Sequence, residues 1–176
     1  MKSSLPIEGE TRVRGETPAL LLAASNQGIK DSPNTLEGGN KLFKKIHVFR
    51  VMPGQELLTE ITAYCKKNNV TSGVILGIIG SITKAKLNFL LKLPGDYKQV
   101  EYAGPMEIVC SQGTVALKDN NPILHIHMQL SSQEISRGGH VAEAIIFSTA
   151  EVTIGELDLP LYRTLDKYTG LNELVK

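Results

Sequence analysis

The stretch TSGVILGIIGSI, residues 71–82, constrains the fold more than any other feature of this 176-residue chain. Its side chains are almost all apolar, so Val74 to Ile82 needs cover on both faces, as a central strand does. Gly73, Gly77 and Gly80 interrupt it. No Gly-Lys-Ser/Thr follows, so they form no phosphate loop; they mark bulges or close backbone approach. Other strands are predicted around it. Lys45 to Met52 alternates. Lys84 to Leu93 places Ala85, Leu87, Phe89 and Leu91 on one face. Met106 to Leu117 reads as two strands broken near Ser111–Gly113, and Ile145 to Leu157 as one or two more. Pro94-Gly95-Asp96 and Asp119-Asn120-Asn121-Pro122 are turns. One helix is expected, opening at Pro53-Gly54 and ending at Asn68-Asn69. Leu57, Leu58, Ile61, Tyr64 and Cys65 form its apolar face. Glu56 and Glu60 near its start, and Lys66 and Lys67 near its end, suit the helix dipole. Tyr162 to Val175 reads as a polar, weakly helical tail. About eight strands and one principal helix predict an α+β fold of mostly antiparallel sheet, sandwich- or barrel-like, with the helix packed on it.

Three of the four histidines lie in HIHMQLSSQEISRGGH, residues 125–140. His125 and His127 are two apart in a run with strand character, so they point to one face. His140 follows a Gly-Gly pair read as a turn that swings it back towards them. Three imidazoles would leave a fourth position open, as in catalytic rather than structural zinc sites. Zinc or another divalent first-row metal is the expected occupant. Equally, two strand histidines can face water and His140 can serve the turn. Because only neutral imidazole ligates, metal should be lost below about pH 6. His47, with no histidine near it in sequence, reads as a surface or packing residue.

Residues 1–40 are rich in Gly, Ser, Pro, Asn and Glu and read as a flexible N-terminal extension, with short strands conceivable at Thr11 to Gly15 and Ala19 to Ala24. Residues 41–176 form the expected domain. No apolar run reaches the roughly 20 residues a membrane span needs, and no secretory address is recognisable. Cys65 and Cys110 stand far apart, which argues against a disulfide framework and for a cytoplasmic setting. Net charge is +1, distributed as −1 over residues 1–40, +7 over 41–100 and −5 over 101–176. The basic middle could attract phosphate or pair with the acidic end. Few aromatics accompany its lysines, so there is no stacking platform for single strands.

Six segments resemble the PPC domain, the "plants and prokaryotes conserved" domain. They are GIIGSITKAKL (77–87), GPMEIVCSQGTVAL (104–117), ILHIHMQLS (123–131), GGHV (138–141), TAEVTIGEL (149–157) and TGLNEL (169–174). The resemblance spans about residues 42–175. It implies an α+β sandwich or barrel-like sheet, a homotrimer, and a divalent metal at His125, His127 and His140. It also implies a fold similar to α-acetolactate decarboxylase, a zinc enzyme with three histidine ligands. In plant members the domain follows a DNA-binding Arg-Gly-Arg-Pro element. Here the nearest fragment is RVRGET at 12–17, without the proline and flanked by Glu10 and Glu16. The plant contact motif Gly-Arg-Phe-Glu-Ile-Leu reads GPMEIV, Gly104 to Val109.

Two functions follow, with a third possibility in a small-molecule or metal sensor that uses the same pocket without turnover. One is a trimeric, metal-binding, regulatory or DNA-associated assembly module with at most weak DNA binding. The other is a zinc-dependent enzyme acting on a small anionic carbonyl substrate. For the enzyme, Glu107, Glu143 and Glu151 are candidate proton-transfer groups, and Arg137 could hold the anion. Each glutamate also fits an exposed strand-edge charge.

Overall fold

The computed structural model describes residues 42–175. The expected extension, with its two conceivable strands, lies outside the described residues. The elements are β1 (Lys45–Val51), α1 (Leu57–Asn68), β2 (Gly73–Lys92), β3 (Asp96–Lys118), β4 (Asn121–Ser131), β5 (Ser136–Glu156), β6 (Arg163–Leu165) and β7 (Asn172–Leu174). The first five strands form an antiparallel sheet in the order β1-β5-β2-β3-β4, and β5 also pairs with β4. That pairing partly closes the sheet into a ring. The fold is α+β, mostly antiparallel β with one helix, as expected.

The helix packs against β4 and β5. Its Leu57, Ile61 and Cys65 are fully buried, in one core with Ile126, Leu130, Ile146 and Ile154. Burying such side chains is worth about 1.5–3 kcal/mol each. The helix begins at Leu57, later than Pro53-Gly54, because Glu56 caps it. Its carboxylate accepts from the Leu58 and Thr59 amides at 3.1 and 2.7 Å. Pro53-Gly54 is the preceding turn, with Gly54 donating to the Ile146 carbonyl at 2.8 Å. Asn69 ends the helix in the left-handed conformation, φ 56°. Both cysteines are free, and burial pushes the Cys65 thiol up to about 11.

Several sequence-based boundaries give way to longer strands. Residues 71–82 and 84–93 are one strand, β2, bent by register shifts rather than broken by a turn; two of these fall at Ile75/Gly77 and Gly80/Ile82. Residues 106–117 are likewise unbroken, because Gln112 and Gly113 pair with His127 and Ile126. Gly138-Gly139 is not a turn. Both residues lie within β5, opposite Gln129 and Met128, and the real turn is at Ser132, whose hydroxyl accepts from the Glu134 and Ile135 amides. The tail is not helical: β6 and β7 pair as a hairpin. The strands therefore number seven among the described residues. His47 packs in the interior, with Nε2 3.0 Å from the Glu156 carboxylate. Burial works to raise the Glu156 pKa, but hydrogen bonds from Lys44 and His47 outweigh it and hold the carboxyl below its ordinary range. Among the described residues no helix is long and apolar enough to cross a membrane.

At Gly80 a Cβ would collide with the Thr149 carbonyl on β5, whereas at Gly77 it would meet nothing within 4 Å. Gly80→Ala should therefore cost about 1–3 kcal/mol in urea unfolding, and Gly77→Ala should stay within about 0.5 kcal/mol of wild type. Equal effects would refute the close approach.

Candidate metal centre

Strand alternation builds the site. His125 and His127 project from one face of β4, while Ile126 and Met128, 1% and 2% exposed, turn to the core. In the β4–β5 ladder His127 stands directly opposite His140, which places their Cβ atoms about 4.5–5.5 Å apart. Extended backbone, not a turn, thus brings in the third histidine. Leu87 and Phe89 on β2 lie against Gly139, where a Cβ would stand 3.3 Å from each.

His125 Nε2 and His127 Nε2 are 3.1 Å apart. One ligand nitrogen from each of the three rings falls within a group no wider than 4.8 Å. A tetrahedral ion with bonds of 2.0–2.1 Å sets its ligand atoms roughly 3.3 Å apart. The soft χ2 of histidine covers the remaining adjustment. The donor set fits a divalent first-row metal: three imidazoles, with a fourth direction left to the adjoining cavity. Burial, then the charges of Arg163, His140 and His127, lower the His125 pKa to about 4. Burial, His127 and Arg163 lower that of His140. Burial thus favours the neutral form of these two rings, the form that can ligate.

The histidines open on a cavity of about 430 Å³, which Tyr97, Leu124, Arg163, Asn172 and Glu173 also line. The proposed proton-transfer glutamates and Arg137 are not in its wall. Glu143 is tied to Lys84 and Lys86 at 2.8 and 3.0 Å, and these lysines hold its carboxyl below the ordinary range. Glu107 lines a separate depression with Val109 and Phe147. Glu151 is exposed on β5 opposite Arg50. Arg137 pairs with Leu130, and alternation sends it to the face opposite His140.

Sequence reasoning missed Arg163 and Glu173. Arg163 is 6% exposed and donates to Thr114 Oγ1 at 2.9 Å and to the Asn172 carbonyl at 2.8 Å. Thr114 is the β3 neighbour of His125, so the guanidinium lies one strand from the histidines. The available signal was the reversal of the chain through Asp166, which accepts from the Tyr168 and Thr169 amides as a turn residue does.

The lowered histidine pKa values have a consequence for metal-free protein. The unfolded chain, with histidines near 6.5, takes up protons before the folded site does. Stability should be intact above about pH 6.5 and fall as pH drops towards 4. His125→Asn should flatten that slope in urea midpoints compared at about pH 7 and about pH 5. An unchanged slope would place the acid sensitivity elsewhere.

Comparison with known proteins bears on this site. Residues 39–158 match the Plants and Prokaryotes Conserved (PCC) domain. The structure of a plant- and prokaryote-conserved protein from Pyrococcus horikoshii is 32% identical with a TM-score of 0.68, covering 76% of this chain and 94% of that one. A metal-containing protein from Archaeoglobus fulgidus is 25% identical with a TM-score of 0.69, covering 78% of this chain and 100% of that one. A protein from Bacteroides thetaiotaomicron put forward as DNA-binding shares the fold, with 23% identity and a TM-score of 0.70 over 77% of this chain and 94% of that one. Among curated proteins, bifunctional protein GlmU of Synechococcus sp. strain JA-3-3Ab is 27% identical over 133 residues, 74% of this chain but 20% of the relative's length. The chain thus spans about a fifth of the curated relatives it matches. With its fold, its family match and its Pyrococcus counterpart in agreement, the chain belongs to the Plants and Prokaryotes Conserved domain family.

Proposed function

We propose that this domain is a metal-binding assembly module in which His125, His127 and His140 hold one divalent first-row ion, zinc as first choice, in each subunit of a homotrimer. The observation that carries the metal is the convergence of three ligand nitrogens within 4.8 Å. The description of the Archaeoglobus protein as metal-containing agrees with it. Self-association is supported by β2, which buries Ile75 and Ile78 but leaves Leu76 and Ile79 44% and 70% exposed. Val48, Val109 and Phe147 on neighbouring strands are also exposed. Apolar side chains set outwards on a sheet suit a subunit contact. Native mass spectrometry tests both parts: wild type should fly as three chains with three ions, and His127→Ala as three chains with none. A metal-bearing monomer would refute the trimer, and a metal-free trimer the metal site.

A regulatory association with DNA is the weaker part of this reading. Its support is the description of the Bacteroides protein and the basic stretch 41–100. Against tight binding, Lys84 and Lys86 are paired with Glu143, and Lys44 with Glu156. Duplex DNA should therefore bind weakly, without sequence preference, and release as salt rises from about 50 to about 200 mM. Sequence-selective binding that survives the higher salt would show a dedicated DNA surface.

The cavity beside the histidines favours a second reading, a zinc-dependent enzyme acting on a small anionic carbonyl compound. When bound, the ion would polarise a carbonyl or lower the pKa of a water molecule to about 7. Glu173 is the carboxylate in the cavity wall and takes the proton-transfer role first considered for Glu107, Glu143 and Glu151. Turnover of a keto-acid panel, lost in Glu173→Gln while metal content persists, would separate this reading from a binding role; no turnover of any compound would leave the binding role.

A further inference from the structure

We propose that Arg163 is the anion-reading residue of the histidine cavity, and that the cavity takes a small hydroxylated oxyanion, a carboxylate or a phosphate ester. The inference deepens the reading of the histidine site and rests on it for the ion's share of the attraction. Arg163 supplies the rest by itself.

The guanidinium is almost wholly buried, at 6% exposure, and forms no ion pair among the described residues. A buried charge without a partner is costly and calls for a counter-ion. Nη1 and Nη2 are fixed by Asn172 and Thr114, but Nε is buried with no partner. Both bonds are to neutral oxygens; the acid that acts on the guanidinium, Glu173, does so without ion-pair contact, so the positive charge is held in place and only partly offset. Glu173 shares the cavity and stands outside ion-pair contact with it. The three candidate metal ligands are neutral imidazoles, so a divalent ion there would also keep its full charge. With that ion, the positive charges outweigh Glu173, and a cavity with this balance selects anions.

The walls define the rest of the ligand. Asn172 leaves Oδ1 buried without a partner, an acceptor suited to a hydroxyl group. Leu90, Leu124 and Leu171 add apolar surface, which fits a short carbon skeleton. About 430 Å³ is room for a small molecule and not for a polymer.

Calorimetric titration of the zinc-loaded protein with lactate, acetate and inorganic phosphate tests this. Lactate and phosphate should bind, and acetate, which lacks the hydroxyl, more weakly than lactate. Arg163→Gln should weaken binding about ten- to a hundredfold with unchanged metal content, which a merely structural role would not produce. Arg163→Lys, charged but without the fork, should fall in between; it carries the test if the glutamine variant does not fold. No binding of any of the three anions by wild type, or equal affinity in the variants, would overturn the proposal. If the protein holds no metal, the reading of the histidines fails, and metal-free protein decides for Arg163. A rise in wild-type melting temperature with phosphate, absent in the variants, would uphold the anion site, and no rise would overturn it.

Discussion

The pairing of β4 with the first residues of β5 is the constraint on which the rest depends. It turns a five-stranded antiparallel sheet into a partly closed ring and gives the helix an enclosed core to cover. The same ladder sets His127 against His140. A one-residue slip would send His140 to the other face. Core and site are therefore specified by one register: Met128 and Leu130 lock it from inside, and the histidines use it outside.

Charge is arranged on the same plan. The excess of lysine in the middle of the chain meets acid supplied by later strands, so Lys84, Lys86 and Glu143 form one cluster and Lys44, His47 and Glu156 another. Both clusters lie across β-ladders and link segments of opposite net charge. Part of the uneven distribution of charge is internal complementarity. Among the described residues, buried Arg163 beside the histidines forms no ion pair.

What was legible in the sequence was local. Alternation put His125 and His127 on one face, and the apolar repeat of Leu57, Ile61 and Cys65 identified the helix. His140 does lie beside the other two histidines, but not by the route the glycines suggest. Gly138-Gly139 looks like a turn, but in β5 the missing side chain of Gly139 lets Leu87 and Phe89 lie close beside it. The long strands were read as pairs of short ones because bulges, unlike turns, interrupt a pattern without reversing the chain. Arg163 was legible only as far as the turn at Asp166 that returns the chain. Its partner Thr114 lies 49 residues earlier, a pairing that the polar segment around Arg163 does not announce. The candidates Glu107, Glu143 and Glu151 have the right chemistry and the wrong location, because proximity to the histidines is decided by ladder register and not by residue type.

The carboxylate of Glu56 does more than cap the helix. It also accepts from the Ala144 amide at 3.2 Å, across 88 residues of sequence, beside the isolated bridge of Glu56 to Ile145. One side chain therefore serves two structures, the first turn of α1 and the edge of β5 that lies between its pairings with β4 and β1. Fraying of the helix start frees a buried strand amide, so the two events share a free-energy cost. The amides of Leu58, Thr59 and Ala144 all depend on this one acceptor. The helix and the strand that carries His140 are thus tied through one carboxylate as well as through packing.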